Sequence, residues 1–317
     1  MIKVAVIGVG AFGREHARVY SEVGASHVAF ICDIDESRGR PIAERYGAEY
    51  IADYRELIGQ IEAASVTVPT ESHATIASDL LKAGIAVLVE KPIARTLEEA
   101  DIIIEASRQS GSVLQVGHLE RFNPAVMAAA RITTKPRFFE AHRLSVFTPR
   151  SLDIDVVMDL MVHDIDVLLS LVKSEVTEVR AAGVPILTPK IDIANARIEF
   201  ANGCVANLTA SRVSAERVRK LRFFQPGEYV SIDYAVQEAV VVSVKPRPGG
   251  RPDFESRLLA IEQSEPLRLE IESFLSALQG TPVKVSGEDG RRALALAIEV
   301  TERIREHAAK AGVSLTV

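Results

Sequence analysis

At 317 residues with 47% apolar content, the chain is long enough for two domains with real cores, which excludes a disordered protein. A net charge of −6 with no block of like charges argues against nucleic acid or an anionic membrane as partner. The opening apolar run, Val4 to Gly8, is too short for a signal peptide or a membrane span, so a cytoplasmic protein is expected. Cys32 and Cys204 lie far apart in apolar, strand-like segments and read as small buried hydrophobes, with no disulfide or metal assigned to them.

To about residue 118, short β-branched runs alternate with amphipathic helical stretches. IKVAVIGV precedes a helix through Val23, HVAFICDI a helix from Ser37, SVTVP a helix through Lys82, and AVLVEKP a helix through Ser110 before SVLQVG. Strands alternating with helices imply parallel βαβ units, and continuous aliphatic strands imply a sheet covered on both faces. The expectation is a Rossmann-type, doubly wound parallel sheet over residues 1–121. From 122 to 317 the strands lengthen and alternate, as in RFFEAHRLSVF, ANARIEF, CVANLTASRV and EYVSIDY. Asn202-Gly203 marks a hairpin, and Gln225-Pro226-Gly227 punctuates the next pair. This half reads as an α+β domain with a large, mainly antiparallel sheet. Helices are expected at about 124–132 and 154–173, and two more, at 266–279 and 287–310, close the chain.

Gly8-Val9-Gly10-Ala11-Phe12-Gly13 follows the first strand and opens a helix. Glycines there permit a tight turn and close approach of a pyrophosphate, which the helix N-terminus faces. Asp33 ends the second strand twenty residues beyond Gly13, where a carboxylate accepts hydrogen bonds from an adenosine ribose and repels a 2′-phosphate. NAD is the expected cofactor, although Arg38 on the following helix offers a phosphate partner.

Glu90-Lys91-Pro92 stands at the carboxyl end of the strand AVLVE, the edge where open α/β sheets bind ligands. From position alone Lys91 is as readily a solvated strand-end lysine as a catalytic one. A cis Lys91-Pro92 bond is expected, since such bonds are essentially confined to proline. Pro69, Thr70 and His73 fall near the same strand ends and, with Glu90, are assigned to the cofactor side; His73 can equally be structural. In DLMVHDID, 159–166, Asp159 and His163 share a helix face with Asp166 one turn on. A carboxylate four residues before a histidine fixes its tautomer, which suits a base that takes a proton from a hydroxyl. A metal site lacks a third ligand at helpful spacing, and a satisfied core histidine is the bland alternative. In GHLERFNP, Arg121 and Asn123 are candidate substrate contacts, with Asn123-Pro124 equally an N-cap followed by proline at N1. Arg217 and Arg219 alternate with Lys220 and Arg222 on opposite strand faces; a solvated edge is the plainer reading, and one face suits a diphosphate or a second subunit.

These segments, GVGAFG, VPTESHATIASDLLKAGIAVLVEKPIA, GHLERFNPA, DLMVHDID and EPLRLEIESFLSAL with TPVKVSGEDGRRALALA, resemble the glucose-fructose oxidoreductase, inositol dehydrogenase and rhizopine-catabolism family (Gfo/Idh/MocA) over nearly the whole chain. The resemblance implies a CH-OH oxidoreductase with a Rossmann domain, a sheet domain through which homodimers or homotetramers form, and Lys91, Asp159 and His163 lining the substrate site beside the nicotinamide. Where many members carry a glycine pair before the aspartate, this chain has Asp155-Val156-Val157-Met158, a departure that bears on the sugar pocket. GHLERFNPA, DLMVHDIDVLLSL and TASRVSAERVRKLR look most like the branch oxidising the 3-hydroxyl of UDP-N-acetylglucosamine, whose 3-keto product feeds a PLP aminotransferase in lipid A or surface glycan biosynthesis. A dehydrogenase of a free cyclitol or simple sugar, and a non-catalytic NAD-binding sensor, are the alternatives.

Overall fold

The computed structural model describes residues 1–148, 154–245, 247 and 250–312. The chain forms two compact units, Met1–Leu119 with Glu265–Leu294, and Glu120–Ser264 with Ala295–Val317.

In the first unit six strands, β1 (Ile2–Ile7), β2 (Ser26–Cys32), β3 (Glu49–Ile51), β4 (Ala63–Val66), β5 (Ala86–Glu90) and β6 (Leu114–Gly117), make one sheet in the order β3-β2-β1-β4-β5-β6. All its pairings are parallel. The order reverses between β1 and β4, and ligands of such sheets bind in the crevice at that switch point. The connecting helices are α1 (Ala11–Glu22), α2 (Glu36–Tyr46), α3 (His73–Lys82) and α4 (Leu97–Ser110). Val4, Val6 and Leu88 are fully buried, as aliphatic strands with two covered faces must be.

The expected boundary at 121/122 lies two residues from the observed break, but assigning everything after it to the second domain needs correction. Helix α7 (Pro266–Ala277) inserts Leu267, Ile271, Phe274 and Leu275 into the core that also holds Val4, Val6, Ala17 and Tyr20. Truncating a buried phenylalanine such as Phe274 costs about 3–5 kcal/mol, so α7 is held in the first unit by its apolar face, whatever its place in the chain.

The second unit holds eight strands: β7 (Phe138–Leu144), β8 (Val176–Val184), β9 (Ile193–Phe200), β10 (Val205–Ser211), β11 (Val218–Gln225), β12 (Glu228–Asp233), β13 (Glu238–Lys245) and β14 (Asp253–Leu258). Their order is β14-β13-β12-β11-β7-β10-β9-β8. Every pairing is antiparallel except β7 with β10. The two expected turns carry Gly203 and Gly227 at positive φ. One face is apolar: Phe139 stacks on Phe223 at 5.1 Å, beside Ala141, Leu208, Leu221 and Val230. The other carries cross-strand ion pairs such as Arg222 with Glu140 at 2.6 Å and Lys220 with Asp233 at 3.5 Å, the alternation of a half-solvated sheet. Helix α5 (Pro124–Ile132) runs as expected, whereas the stretch from 154 begins as a turn of π-helix, Val157–Met161, before α6 (Val162–Val172). Helix α8 (Gly287–Ala311) closes the chain.

Candidate active site

The glycine loop is built by steric necessity. Gly8 has φ +85°, and a Cβ there would lie 2.8 Å from the Val68 side chain; a Cβ at Gly13 would lie 1.9 Å from the Gly8 carbonyl oxygen. Gly10 differs: its Cβ would meet nothing within 4 Å. The loop thus packs tightly at two glycines and leaves space at the third, the arrangement a pyrophosphate needs. Asp33 is only 5% exposed. Its carboxylate accepts from the Val9 amide at 2.8 Å and the Asp35 amide at 2.9 Å, each bond using one lone-pair direction and leaving others for ribose hydroxyls. Arg38 stands 3.9 Å from Asp33 and 3.4 Å from Asp35, so it is drawn to carboxylates. A cavity of about 880 Å³ runs past Gly8, Gly10, Asp33, Arg38, Thr67 and Pro69, and the residues present fit a dinucleotide.

The expected cis Lys91-Pro92 bond is present. His73, 1% exposed, lies 3.0 Å from the Pro92 carbonyl oxygen and 2.9 Å from that of Val68. Its ring sits between the Lys91-Pro92 turn and the end of β4 and, when neutral, donates its single N–H to one of these carbonyls. Burial lowers its pKa, against the opposing pull of those carbonyls. Behind Lys91, the Glu90 carboxylate meets His16 Nε2 at 3.1 Å while His16 Nδ1 meets the Ser65 hydroxyl at 3.0 Å. Gly117 lies opposite Glu90, and a Cβ there would come within 2.6 Å of that carboxylate. His16, Glu90 and Glu270 bring ligand atoms within 4.8 Å of one another, a buried polar cluster beneath the strand end.

Asp159 and His163 belong to the second unit, both half-buried. Asp159 lies inside the π-helical turn and His163 in the first turn of α6; widened turns of this kind occur frequently at functional sites. Asp155 starts the segment, its carboxylate accepting from the Val157 and Met158 amides, each at 3.1 Å. It thereby caps the turn from its own side chain. The next two acids anchor the helix: Asp166 pairs with Arg121 at 3.3 Å, and Asp164 takes a two-pronged contact from Arg143 at 2.8 and 3.0 Å. Arg143, 3% exposed, also reaches Glu120 at 2.9 Å and lies 5.0 Å from the Tyr234 ring centroid. Asn123 is 3% exposed; its side chain accepts from the Ala125 amide at 3.1 Å and donates to the Tyr234 carbonyl at 3.1 Å. Of the two expected substrate contacts, Asn123 is thus an N-cap and Arg121 a partner of Asp166.

Residues 2–118 match the model for an oxidoreductase family with an NAD-binding Rossmann fold, and residues 131–225 match the GFO/IDH/MocA C-terminal domain. The chain belongs to the GFO/IDH/MocA oxidoreductase family. Its first unit is an NAD-binding Rossmann domain, and its chemistry is that of an oxidoreductase acting on CH-OH groups. Among relatives, the UDP-N-acetylglucosamine 3-dehydrogenase of Acidithiobacillus ferrooxidans is 37% identical over 305 residues, 94% of this chain and 96% of that protein. A solved structure of that enzyme superposes with a TM-score of 0.90 at 36% identity, covering 96% of this chain and 98% of the other. The inositol 2-dehydrogenase of Rhizobium meliloti is 25% identical over 96% of this chain and 97% of its own.

The cofactor cavity draws on more than the glycine motif. Ala52, Tyr54 and Arg55 line the cofactor cavity, brought there by the short strand β3, which sequence reading missed. The Asp53 side chain accepting from the Arg55 amide at 3.0 Å is the one local signal, an Asx turn, that marks this loop. Cys32 also lines the cavity, where burial and Asp33 push its thiol up to about 12. No helix among the described residues is long and apolar enough to cross a membrane.

Proposed function

We propose that this protein oxidises the 3-hydroxyl of UDP-N-acetylglucosamine to the 3-keto sugar, with Lys91, Asp159 and His163 as its catalytic residues. The observation that carries the reading is the 37% identity to a UDP-N-acetylglucosamine 3-dehydrogenase across 94% of the chain. It is joined by a carboxylate and histidine four residues apart at a π-helical turn and a lysine at a strand end of the Rossmann sheet. When bound, NAD accepts the hydride. His163 takes the hydroxyl proton, Asp159 holds the imidazole in the tautomer that accepts it, and Lys91 donates a hydrogen bond to the same oxygen as negative charge develops there. Gly8, Gly10, Gly13 and Asp33 hold the cofactor's pyrophosphate and ribose.

The 3-keto product is a substrate for a PLP-dependent aminotransferase, and the enzyme works as a homodimer or homotetramer. NADH formation with UDP-N-acetylglucosamine, compared with myo-inositol and glucose, tests the substrate. Turnover of the nucleotide sugar alone supports the proposal; turnover only of the unphosphorylated compounds moves the enzyme to the cyclitol branch. If none is oxidised while NAD binds tightly, the protein is a sensor of the same fold.

A further inference from the structure

The second unit contains a small cavity of about 200 Å³ lined by Ser145, Val146, Thr148, Asp159, Leu160, Arg212, Arg217 and Arg219. Three guanidiniums thus converge on a space walled by Asp159. The volume is below the roughly 300–1,000 Å³ of a complete small-molecule site, so it suits part of a ligand.

The three arginines are not equivalent. Arg212 is buried; it donates to the Ile154 carbonyl at 2.5 Å and stands 3.8 Å from Asp192, so it is anchored by the protein. Arg219 shares a sheet face with Arg143 and lies opposite it in the β11/β7 register. Arg143 is neutralised by Asp164 and Glu120, whereas neither Arg217 nor Arg219 has a carboxylate within 4.0 Å among the described residues. Arg217 and Arg219 are both exposed to solvent; desolvation, then the like charge of Arg143, lowers the pKa of Arg219. On the opposite face of the same strand, Lys220 and Arg222 each have their acid. Arg217 and Arg219, exposed and without acids, border a concavity that Ser145, Thr148 and a single carboxylate, Asp159, also line, so there is positive charge to spare for an anion from outside, and the planar guanidinium fork matches phosphate oxygens.

Resting on the nucleotide-sugar reading above, we infer that this cavity is the phosphoryl subsite: Arg217 and Arg219 grip the diphosphate, Arg212 backs them, and the attached sugar lies along the wall formed by Asp159. Placing the diphosphate beside Asp159 puts the first sugar carbons next to the catalytic pair. The subsite thereby explains selection of a nucleotide-linked sugar over a free one.

The test uses the full chain, steady-state kinetics with UDP-N-acetylglucosamine, and calorimetric binding of inorganic diphosphate. In the Arg217→Gln/Arg219→Gln protein the KM for UDP-N-acetylglucosamine is expected to rise about 10- to 100-fold, the scale of losing charge-assisted hydrogen bonds, with kcat falling far less and NAD affinity unchanged. Diphosphate binding is expected to be lost in parallel. Arg217→Lys/Arg219→Lys keeps charge without the fork and is expected to fall between, which separates recognition from misfolding. If UDP-N-acetylglucosamine is oxidised and its KM stays within about twofold of wild type in the glutamine variant, a change too small for even one lost charged bond, the subsite is overturned and the substrate assignment stands. If the sugar nucleotide is not oxidised at all, that assignment fails, and the subsite is judged by diphosphate alone: binding that the glutamine variant abolishes supports it, and no binding by wild type overturns it.

Discussion

The two units prepare their sites by different physics. In the Rossmann unit the ligand-facing groups are chiefly backbone: Gly10 leaves open space, Gly8 and Gly13 permit close packing, and one carboxylate, Asp33, is pinned by two amides. In the sheet unit everything depends on side chains, with Asp159 and His163 carried by a helix whose acids Asp164 and Asp166 are clamped by Arg143 and Arg121. A backbone site tolerates many sequences around a few glycines, whereas a side-chain site is only as accurate as the buried pairs behind it.

The largest effects should come from removing the proposed catalytic groups. Lys91→Ala and His163→Ala are each expected to lower kcat by about 10²- to 10⁴-fold while NAD affinity, measured by fluorescence titration, stays near wild type. Wild-type turnover in either protein would remove it from the chemistry. Next comes the clamp: Arg143→Met leaves Asp164 buried, and Glu120 half-buried, without their cation and is expected to cost about 3–5 kcal/mol, read as a fall in the urea midpoint. Should Arg143→Met match wild-type stability, the clamp is not what holds α6.

The glycine loop sharpens the comparison from the other side. Gly10 has φ −62°, ordinary for any residue, and open space where its Cβ would go. Gly10→Ala should therefore fold normally yet bind NAD on the order of tenfold more weakly, because the methyl occupies the pyrophosphate's approach. Gly13→Ala, with its Cβ driven against the Gly8 carbonyl, should lose stability as well as affinity. Equal behaviour of the two variants would contradict separate roles for the glycines.

The smallest effect concerns acid. Burial holds the His73 pKa below its usual 6.5, so the unfolded chain takes up the proton first as pH falls. The stability this residue supplies is complete above about pH 6.5 and is lost through the window between that value and its lower folded pKa. His73→Asn should flatten this part of the stability profile; an unchanged slope would mean the histidine does not titrate on unfolding.

The unequal construction also explains what could be read in the sequence. GVGAFG and Asp33 were legible because backbone geometry demands glycine at fixed spacing, and the alternation of strands and helices carried the doubly wound sheet. The placement of α7 was not, since its amphipathic pattern records an apolar face and not which core that face will join. Nor was the π-helical turn around Asp159, because a change from i→i+4 to i→i+5 bonding is settled by packing. Arg143 did leave a signal: the alternation of RFFEAHRL puts it on the face of Phe139 and Ala141, where an arginine requires buried acids. Asn123, readable as cap or contact, does cap α5.

The central proposal is that hydride leaves carbon 3 of a UDP-linked sugar, with Lys91, Asp159 and His163 as the catalytic residues. Incubating the enzyme with NAD and UDP-N-acetylglucosamine deuterated at carbon 3, then weighing sugar and cofactor by mass spectrometry, tests it most directly. The expected result is deuterium in the reduced cofactor and a sugar lighter by one deuterium, lost as deuteride, and one hydrogen, lost as a proton. Reduced cofactor without deuterium, from a sugar that retains its label, would contradict it.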